Sequence, residues 1–419
     1  MASVLFLNRL FNTVLRLGSL GSKLVLTLYM GKYLGLSEMG TYGLVAAYVT
    51  IAIPLLGQRL DYCVSRDIID TPPLALARMM RDQAVYYGLN YVLMAVAGLG
   101  YIFTYHHGVG GRIVLLTLAL SILESFATIT SSNLVSLNRP ILSNFLFFVR
   151  AALWTLPVIG LGLISPAFRT ADTIFMCWIA GVVASLAITF AVWRDLPWLE
   201  ALRLPIDWAW IRHSVRKSFF IWLGAVGLAS ALNVDRFFVE HYLGRDFVGI
   251  ASFYGSFTVA IPSLLTSGIF AFTYPRLISL HRQGEHDVFH QEVKKMTLHA
   301  MLAAGFIALA VGIVVPFLGS LFSRPEFTDH APTLWLLLLA VWIRCSTESL
   351  YYVMYARHQD RDIWIGNLAL LGITAAGNAV LIPALGFRGI GYSAVLAAML
   401  FSLWRIHCVR SRASKGFST

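Results

Sequence analysis

Hydrophobic residues in this chain occur in long runs that short polar segments separate. Each run is about 19 to 26 residues long, close to the roughly 20 residues a helix needs to cross the ~30 Å hydrocarbon core of a bilayer. The pattern predicts an all-α integral membrane protein with about 12 transmembrane helices. The runs span residues 10–31, 40–58, 84–104, 113–136, 140–165, 172–193, 218–241, 247–272, 297–319, 332–355, 363–383 and 388–407.

Composition supports the membrane interpretation. Of the 419 residues, 58% are hydrophobic and 13% are charged, against about 25% charged in ordinary soluble domains. The net charge of +11 would suggest nucleic acid in a soluble protein, but Lys and Arg collect in the cytoplasmic loops of membrane proteins. With the N-terminus inside, inner segments hold more than three times as many Lys and Arg as outer ones. Both termini are therefore predicted to be cytoplasmic, with no nucleic-acid partner.

Neither a cofactor nor an enzyme site is indicated. The predicted outer loops are only about 5 to 14 residues long, too short for the extracytoplasmic domain of a membrane glycosyltransferase or glycan polymerase. The four cysteines are scattered without a CxxC motif, which argues against a disulfide framework or a metal site. They are Cys63, Cys177, Cys345 and Cys408.

An internal repeat recurs at half the chain length. Tyr33-Leu34-Gly35 returns as Tyr242-Leu243-Gly244, and Gly40 returns as Gly249, both at an offset of 209 residues. Six helices per copy give both copies the same orientation in the membrane. The repeat predicts two pseudo-symmetric six-helix lobes, residues 1–205 and 206–419, with a substrate site between them.

Eight ionisable residues of these runs are expected to lie within the membrane rather than at its surfaces. Each costs about 2.5–3.5 kcal/mol near the centre of a membrane helix, so eight facing lipid would cost more than the ~5–15 kcal/mol net stability of a domain. They are expected to face one another or a hydrated transport pathway. The eight are Arg16, Lys23, Glu124, Arg150, Asp235, Arg236, Arg344 and Glu348.

The charges in the first half favour an anionic substrate. Arg16 and Lys23 are seven residues apart, which places them on one face of the first helix, and that helix contains no acidic residue. Arg150 is expected to be a third unpaired cation. Arg and Lys are the usual ligands of phosphate, so the three are predicted to bind a phosphate or diphosphate. The alternative is that their side chains extend to the lipid headgroups.

The second half offers candidates for coupling or gating, together with Glu124 of the first half. Arg344 and Glu348 are spaced i, i+4 and would meet on one helix face, as a self-neutralised pair or a coupling pair. Asp235 and Arg236 are candidates for an ion pair at an outer gate, a proton-titrating site or a structural contact. Protons or Na⁺ are the candidate coupling ions.

Several motifs resemble those of Wzx-type polysaccharide flippases. The segment from Tyr33 to Leu44 is similar to their LG-x-x-x-x-G-x-Y turn, and residues 233–249 resemble their second-half signature. Asn138-Arg139-Pro140 and residues 382–391 are similar to their loops. The resemblance implies the multidrug/oligosaccharidyl-lipid/polysaccharide (MOP) exporter superfamily, with two six-helix lobes around a V-shaped cavity. In that family cations lie in the lobe cavity, a pattern that Arg16 and Lys23 fit by position.

These observations together predict a flippase. It would move a polyprenyl-diphosphate-linked oligosaccharide from the inner to the outer leaflet of the bacterial inner membrane by alternating access, for surface polysaccharide biosynthesis. Its partners would be that substrate, membrane lipids, a coupling ion and other polysaccharide-assembly membrane proteins. The alternative is a cation-coupled multidrug exporter of the MATE type, which would be expected to place acidic residues in the first lobe.

Overall fold

A computed structural model describes the backbone of residues 2–68, 71–105 and 109–413. Within these ranges, the side chains of residues 2–13, 16, 66, 105, 109, 412 and 413 lie outside the description. The described residues form helices and turns without a strand. The helices are α1 (Ala2–Tyr33), α2 (Leu36–Gly57), α3 (Asp61–Asp67), α4 (Pro73–Tyr105), α5 (Val109–Ser136), α6 (Pro140–Phe148), α7 (Thr155–Ile164), α8 (Ala171–Trp193), α9 (Trp198–Arg203), α10 (Trp208–Ala231), α11 (Asp235–Leu243), α12 (Arg245–Leu265), α13 (Ala271–Gln283), α14 (His286–Leu321), α15 (Glu326–Asp329), α16 (Ala331–Ser346), α17 (Glu348–Ala356), α18 (Asp360–Leu385) and α19 (Arg388–Ala413).

Eleven of the described helical spans are long and apolar enough to cross a membrane. This confirms an all-helical, multi-pass membrane protein, because a helix is the structure that satisfies its own backbone groups in lipid. The 32-residue α1 is not among the eleven. The count of twelve membrane helices, the two-lobe arrangement and the cytoplasmic termini stay predictions.

Four of the spans are interrupted. A π-helical segment, Val149–Leu153, joins α6 to α7, and a second, Thr266–Phe270, joins α12 to α13. A proline follows each of them by about one turn, Pro157 and Pro275, and a proline has no N–H to donate to the preceding turn. The other two interruptions are short turns between α10 and α11 and between α16 and α17.

The chain forms two compact units, each discontinuous in sequence. Unit 1 comprises Met1–Tyr29 and Val45–Trp222, and unit 2 comprises Met30–Leu44 and Leu223–Thr419. The end of α1 and the start of α2 therefore group with the second half of the chain. The division into lobes 1–205 and 206–419 remains a prediction about the membrane helices.

Within unit 2, the repeated glycines hold α2 and α12 in close contact. A Cβ atom on Gly40 would overlap the carbonyl oxygen of Arg245, and one on Gly249 would overlap the carbonyl oxygen of Leu36. The two contacts are equivalent, because Gly249 is Gly40 and Arg245 is Leu36 shifted by 209 residues. Gly43 likewise meets Ser252, its own equivalent at that offset. Equivalent residues of the two copies thus make equivalent contacts. Reciprocal contacts of this kind are typical of a local two-fold relation, here between α2 and α12.

We expect Gly40→Ala to destabilise the protein by about 1–3 kcal/mol, the usual cost of overpacking, because the neighbouring atom is main chain and cannot rotate away. Gly88→Ala is the matched control: it lies in a helix with no atom within 4 Å of its Cβ position. The control should be neutral or stabilised by up to about 1 kcal/mol. Thermal unfolding in one detergent compares the two, and equal unfolding temperatures would contradict the close-contact interpretation.

In unit 1, the segment that precedes α10 is fastened to α4. The buried guanidinium of Arg81 donates to the carbonyl oxygens of Ala201, of Leu204 (2.6 Å) and of Pro205 (3.2 Å). The neighbouring Asp82 accepts from the backbone N–H of Asp207 at 3.2 Å. Residues 194–217 thus comprise a short helix, a loop held against α4 and the first turns of α10.

Candidate functional site

Lys23 lies on the packed face of α1 and is nevertheless exposed. Successive residues are rotated by about 100° around the axis of a helix. Viewed down that axis, Lys23 lies within about 60° of a row of buried residues and about 120–180° from a row of exposed apolar residues. The buried row comprises Ser19, Leu26, Thr27 and Met30. The exposed row comprises Val14, Leu17 and Val25. Lys23 is therefore an exposed cation on the more buried side of its helix.

A buried ion pair lies in the same unit. The guanidinium of Arg150, in the first π-helical segment, pairs through Nη1 with Oε2 of Glu124 on α5. The same Nη1 donates to Thr128 Oγ1 at 3.0 Å and to the Glu124 carbonyl oxygen at 3.4 Å. Both side chains are at least nine-tenths buried. The expectation that Arg150 is an unpaired cation is wrong, because the fold brings α5 against the π-helical segment.

Trp178 of α8 completes the environment of this carboxylate. Its indole Nε1 donates to Glu124 Oε1 at 2.7 Å, so each oxygen of Glu124 has its own donor. The Trp178 ring stacks on Trp154, with ring centroids 5.6 Å apart and planes inclined by 7°. The stack fixes the indole N–H toward the carboxylate. Glu124 is thereby held as a satisfied anion in a largely apolar setting.

The charge balance of this group is positive. Lys23 interacts electrostatically with both Glu124 and Arg150, and among the described side chains no acidic group lies within 4 Å of its ammonium. The group therefore contains two cations and one carboxylate, which Arg150 occupies. The Nε of Arg150 is buried without a hydrogen-bond partner. The side chain of Arg16 lies outside the described residues.

In unit 2, the expected pair of Arg344 with Glu348 does not form. Glu348 Oε2 accepts from Nη1 of Arg405 on α19 at 2.7 Å. The physical reason is the turn at Thr347: α16 ends at Ser346 and α17 begins at Glu348, so the i, i+4 rule for a continuous helix does not apply. Arg344 is half-buried and has no carboxylate within 4 Å among the described residues.

Arg405 is a candidate that is not among the eight residues expected in the membrane, although it lies near the end of the last apolar run. Its side chain is buried, it donates to the Thr347 carbonyl oxygen at 3.3 Å, and it lies over the Phe401 ring at 4.3 Å. Helical spacing offered a signal. Arg405 continues the buried stripe of α19 formed by Ala397, Ala398, Phe401 and Ser402.

Asp235 and Arg236 lie where the span Trp208–Leu243 is interrupted. Arg236 Nη1 donates to Asn233 Oδ1 at 2.7 Å. Asp235 is the first residue of α11, and its Oδ1 is buried without a hydrogen-bond partner. The two side chains form no ion pair with each other. The structure therefore leaves Asp235 as an acid with an oxygen available.

Three of these intramembrane charges lie at interruptions of helices. Arg150 lies in a π-helical segment, Asp235 follows a turn, and Glu348 follows another. Interruptions expose backbone carbonyl groups that need donors in a membrane, and Arg405 supplies one to the carbonyl oxygen of Thr347. Among the residues that the structure describes, no three His, Cys, Asp or Glu side chains are grouped as a metal site.

No protein-family model matches this chain, and no curated protein matches it by sequence. Solved structures do match its fold. An inward-facing multidrug resistance MATE family transporter of the MOP superfamily superposes with a TM-score of 0.71 at 13% identity, over 97% of this chain and 100% of that one. Lipid II flippase MurJ, in an inward closed conformation, gives 0.69 at 11% identity, over 96% and 87%.

A third similar structure is a MOP superfamily transporter from Pyrococcus furiosus, in which a reverse polarity of the binding pocket suggests a different function. It superposes with a TM-score of 0.58 at 11% identity, over 98% of this chain and 96% of that one. At such identities the likeness establishes the fold alone, which is that of MOP superfamily transporters. The neighbours are transporters and not enzymes.

Proposed function

We propose that this protein is a flippase for a polyprenyl-diphosphate-linked oligosaccharide. It would move this substrate from the inner to the outer leaflet of the bacterial inner membrane by alternating access, for surface polysaccharide biosynthesis. The observation that carries the proposal is the accessible Lys23, on the packed face of α1, beside a carboxylate that Arg150 already neutralises.

The sign of the charge supports an anionic substrate group. Lys23, Glu124 and Arg150 sum to one positive charge, and Glu124 has no oxygen left without a donor. A diphosphate offers oxygens for the Lys23 ammonium, the charge-assisted contact that phosphate-binding sites use. The Nε–H of Arg150 is buried without a partner, so Arg150 would join the diphosphate only when the site opens during transport. In this proposal Arg16, two turns from Lys23 along α1, is a further ligand of the diphosphate.

Coupling is assigned first to Asp235. Its buried Oδ1 has no protein donor, so it can take up a proton or contribute to a Na⁺ site. Glu124 and Glu348 are each held by an arginine, which suits them to gating contacts that exchange partners during transport. Arg344, without a carboxylate within 4 Å in the described structure, is the alternative partner available to Glu348 across the turn at Thr347. Arg236, held by Asn233, is included in the gating group.

The second candidate is a MATE-type exporter of cationic drugs. The shared fold and the buried Glu124 favour it. A bound cation would have to compete with Arg150 and Trp178 for the Glu124 carboxylate, and it would meet Lys23 nearby. The two candidates therefore differ in the sign of the group that the site of unit 1 accepts.

Proteoliposomes that contain the full chain test the proposal. A fluorescent polyprenyl-diphosphate oligosaccharide is placed in one leaflet, and its appearance in the other is measured by quenching from outside. Efflux of a cationic dye is measured in parallel. We expect transfer of the diphosphate lipid, with no transfer of a neutral polyprenyl glycoside. Dye efflux without transfer of the glycan lipid would support the exporter instead, and protein-free vesicles set the background.

A further inference from the structure

A groove of about 720 Å³ lies within unit 1, between α4 and the first half of α10. That volume is in the range of small-molecule sites. Tyr86 and Leu89 form one wall. The other wall is a single stripe of α10 that includes Arg212, Arg216 and Phe219.

The groove carries positive charge without compensation. Arg212 and Arg216 lie one turn apart on α10, and both are exposed. No carboxylate among the described residues lies within 4 Å of either guanidinium. Two neighbouring arginines without acidic partners indicate an anionic ligand, because arginine donates several hydrogen bonds to a phosphate.

The polarity of the groove changes along its length. Trp208 lies at its polar end, and Phe219 lies about 16 Å further along α10 at the helical rise per residue. On α4 the last charged residue is Asp82, and residues 83–105 contain none. Leu89, Phe219 and Phe220 are 54%, 43% and 53% exposed. Tryptophan and arginine at one end with apolar side chains at the other match the headgroup level and acyl region of a bilayer.

We propose that this groove binds an anionic phospholipid of the surrounding membrane. Arg212 and Arg216 hold the headgroup phosphate, whose negative charge is not balanced by a cation of the lipid itself, and an acyl chain lies against Leu89, Phe219 and Phe220. The walls of the groove are held in place before a lipid binds, because Tyr86 donates to Gln58 Oε1 and Ile211 is buried beneath the groove. The site is independent of the transport site proposed for Lys23.

Native mass spectrometry of the full chain in detergent tests the site. The protein is titrated with phosphatidylglycerol, with phosphatidylcholine, and with inorganic phosphate as a soluble competitor. We expect the wild type to prefer phosphatidylglycerol. The R212Q/R216Q variant should bind it about thirty-fold more weakly, from the contribution of each basic residue to binding of anionic lipid, while its weak binding of phosphatidylcholine stays unchanged.

Three further variants make the test specific. R194Q/R203Q removes two exposed arginines of the same segment that do not line the groove, and it should bind as the wild type does. R212K/R216K should recover most of the affinity, and Leu89→Trp, which fills the apolar end, should weaken both lipids. The proposal is overturned if R212Q/R216Q binds like the wild type, if phosphatidylcholine binds equally well, or if inorganic phosphate displaces the lipid at equal concentration.

Discussion

Arg150→Met is expected to destabilise the protein by about 3–5 kcal/mol, the usual cost of removing one partner from a buried ion pair. The substitution leaves Glu124 with Trp178 as its remaining side-chain donor, in a site that is at least nine-tenths buried. It also removes the donors to Thr128 Oγ1 and to the Glu124 carbonyl oxygen. Unfolding of purified protein in one detergent, followed by heat or denaturant, measures the loss.

The exposed ion pair of Arg112 with Asp172, 3.2 Å apart in the same unit, provides the control. Arg112→Met should change stability by no more than about 1 kcal/mol, because solvent screens such pairs. The double variant R150M/E124Q should recover much of the lost stability, since it no longer buries an unpaired charge. If R150M were as stable as R112M, the buried pair would have no structural role.

Lys23→Glu is expected to reduce glycan-lipid translocation by about 100-fold or more. The change replaces one charge-assisted contact, worth about 1.5–3 kcal/mol, by a repulsion of similar size, and each 1.4 kcal/mol is a factor of ten. Lys23→Met, which only removes the contact, should lose about ten-fold, and Lys23→Arg should keep most of the activity. The proteoliposome leaflet assay measures all three variants.

Stability separates a transport defect from a folding defect. Lys23 is exposed and has no carboxylate within 4 Å among the described residues, so Lys23→Met should unfold within about 0.5 kcal/mol of the wild type, as surface substitutions do. Folded Lys23→Glu protein that translocates the glycan lipid at the wild-type rate would refute the cation site. Gain of cationic-dye efflux by that variant would indicate that charge at this position selects the substrate.

Part of the candidate site followed from the sequence and part did not. Lys23 stood out because a lysine in an apolar run has no acid on its own helix. The partner of Arg150 was not predictable, because Glu124 is 26 residues away on another helix and no spacing rule joins them. For Arg344 and Glu348 the spacing rule predicted a pair that does not form. Their i, i+4 spacing fits a continuous helix, but the turn at Thr347 lies between them.

The helix interruptions account for the error about Arg344 and Glu348. Hydropathy averages over about 20 residues and does not register a π-helical segment or a turn of two or three residues. Arg405 illustrates the consequence. It was not among the eight residues expected in the membrane, yet it donates to the carbonyl oxygen of Thr347 at the interruption between α16 and α17.

The sequence by itself determined that the chain crosses a membrane repeatedly as helices. This is a local property, because a run of about 20 apolar residues must satisfy its own backbone groups in lipid. It also showed the 209-residue offset, since duplicated segments keep identical residues at turns. Only the tertiary structure decided which cation is neutralised, which acid has a free oxygen, and that Gly40 and Gly249 meet each other's helices. Those outcomes depend on which helices become neighbours, and electrostatic and steric contacts act across space regardless of distance along the chain.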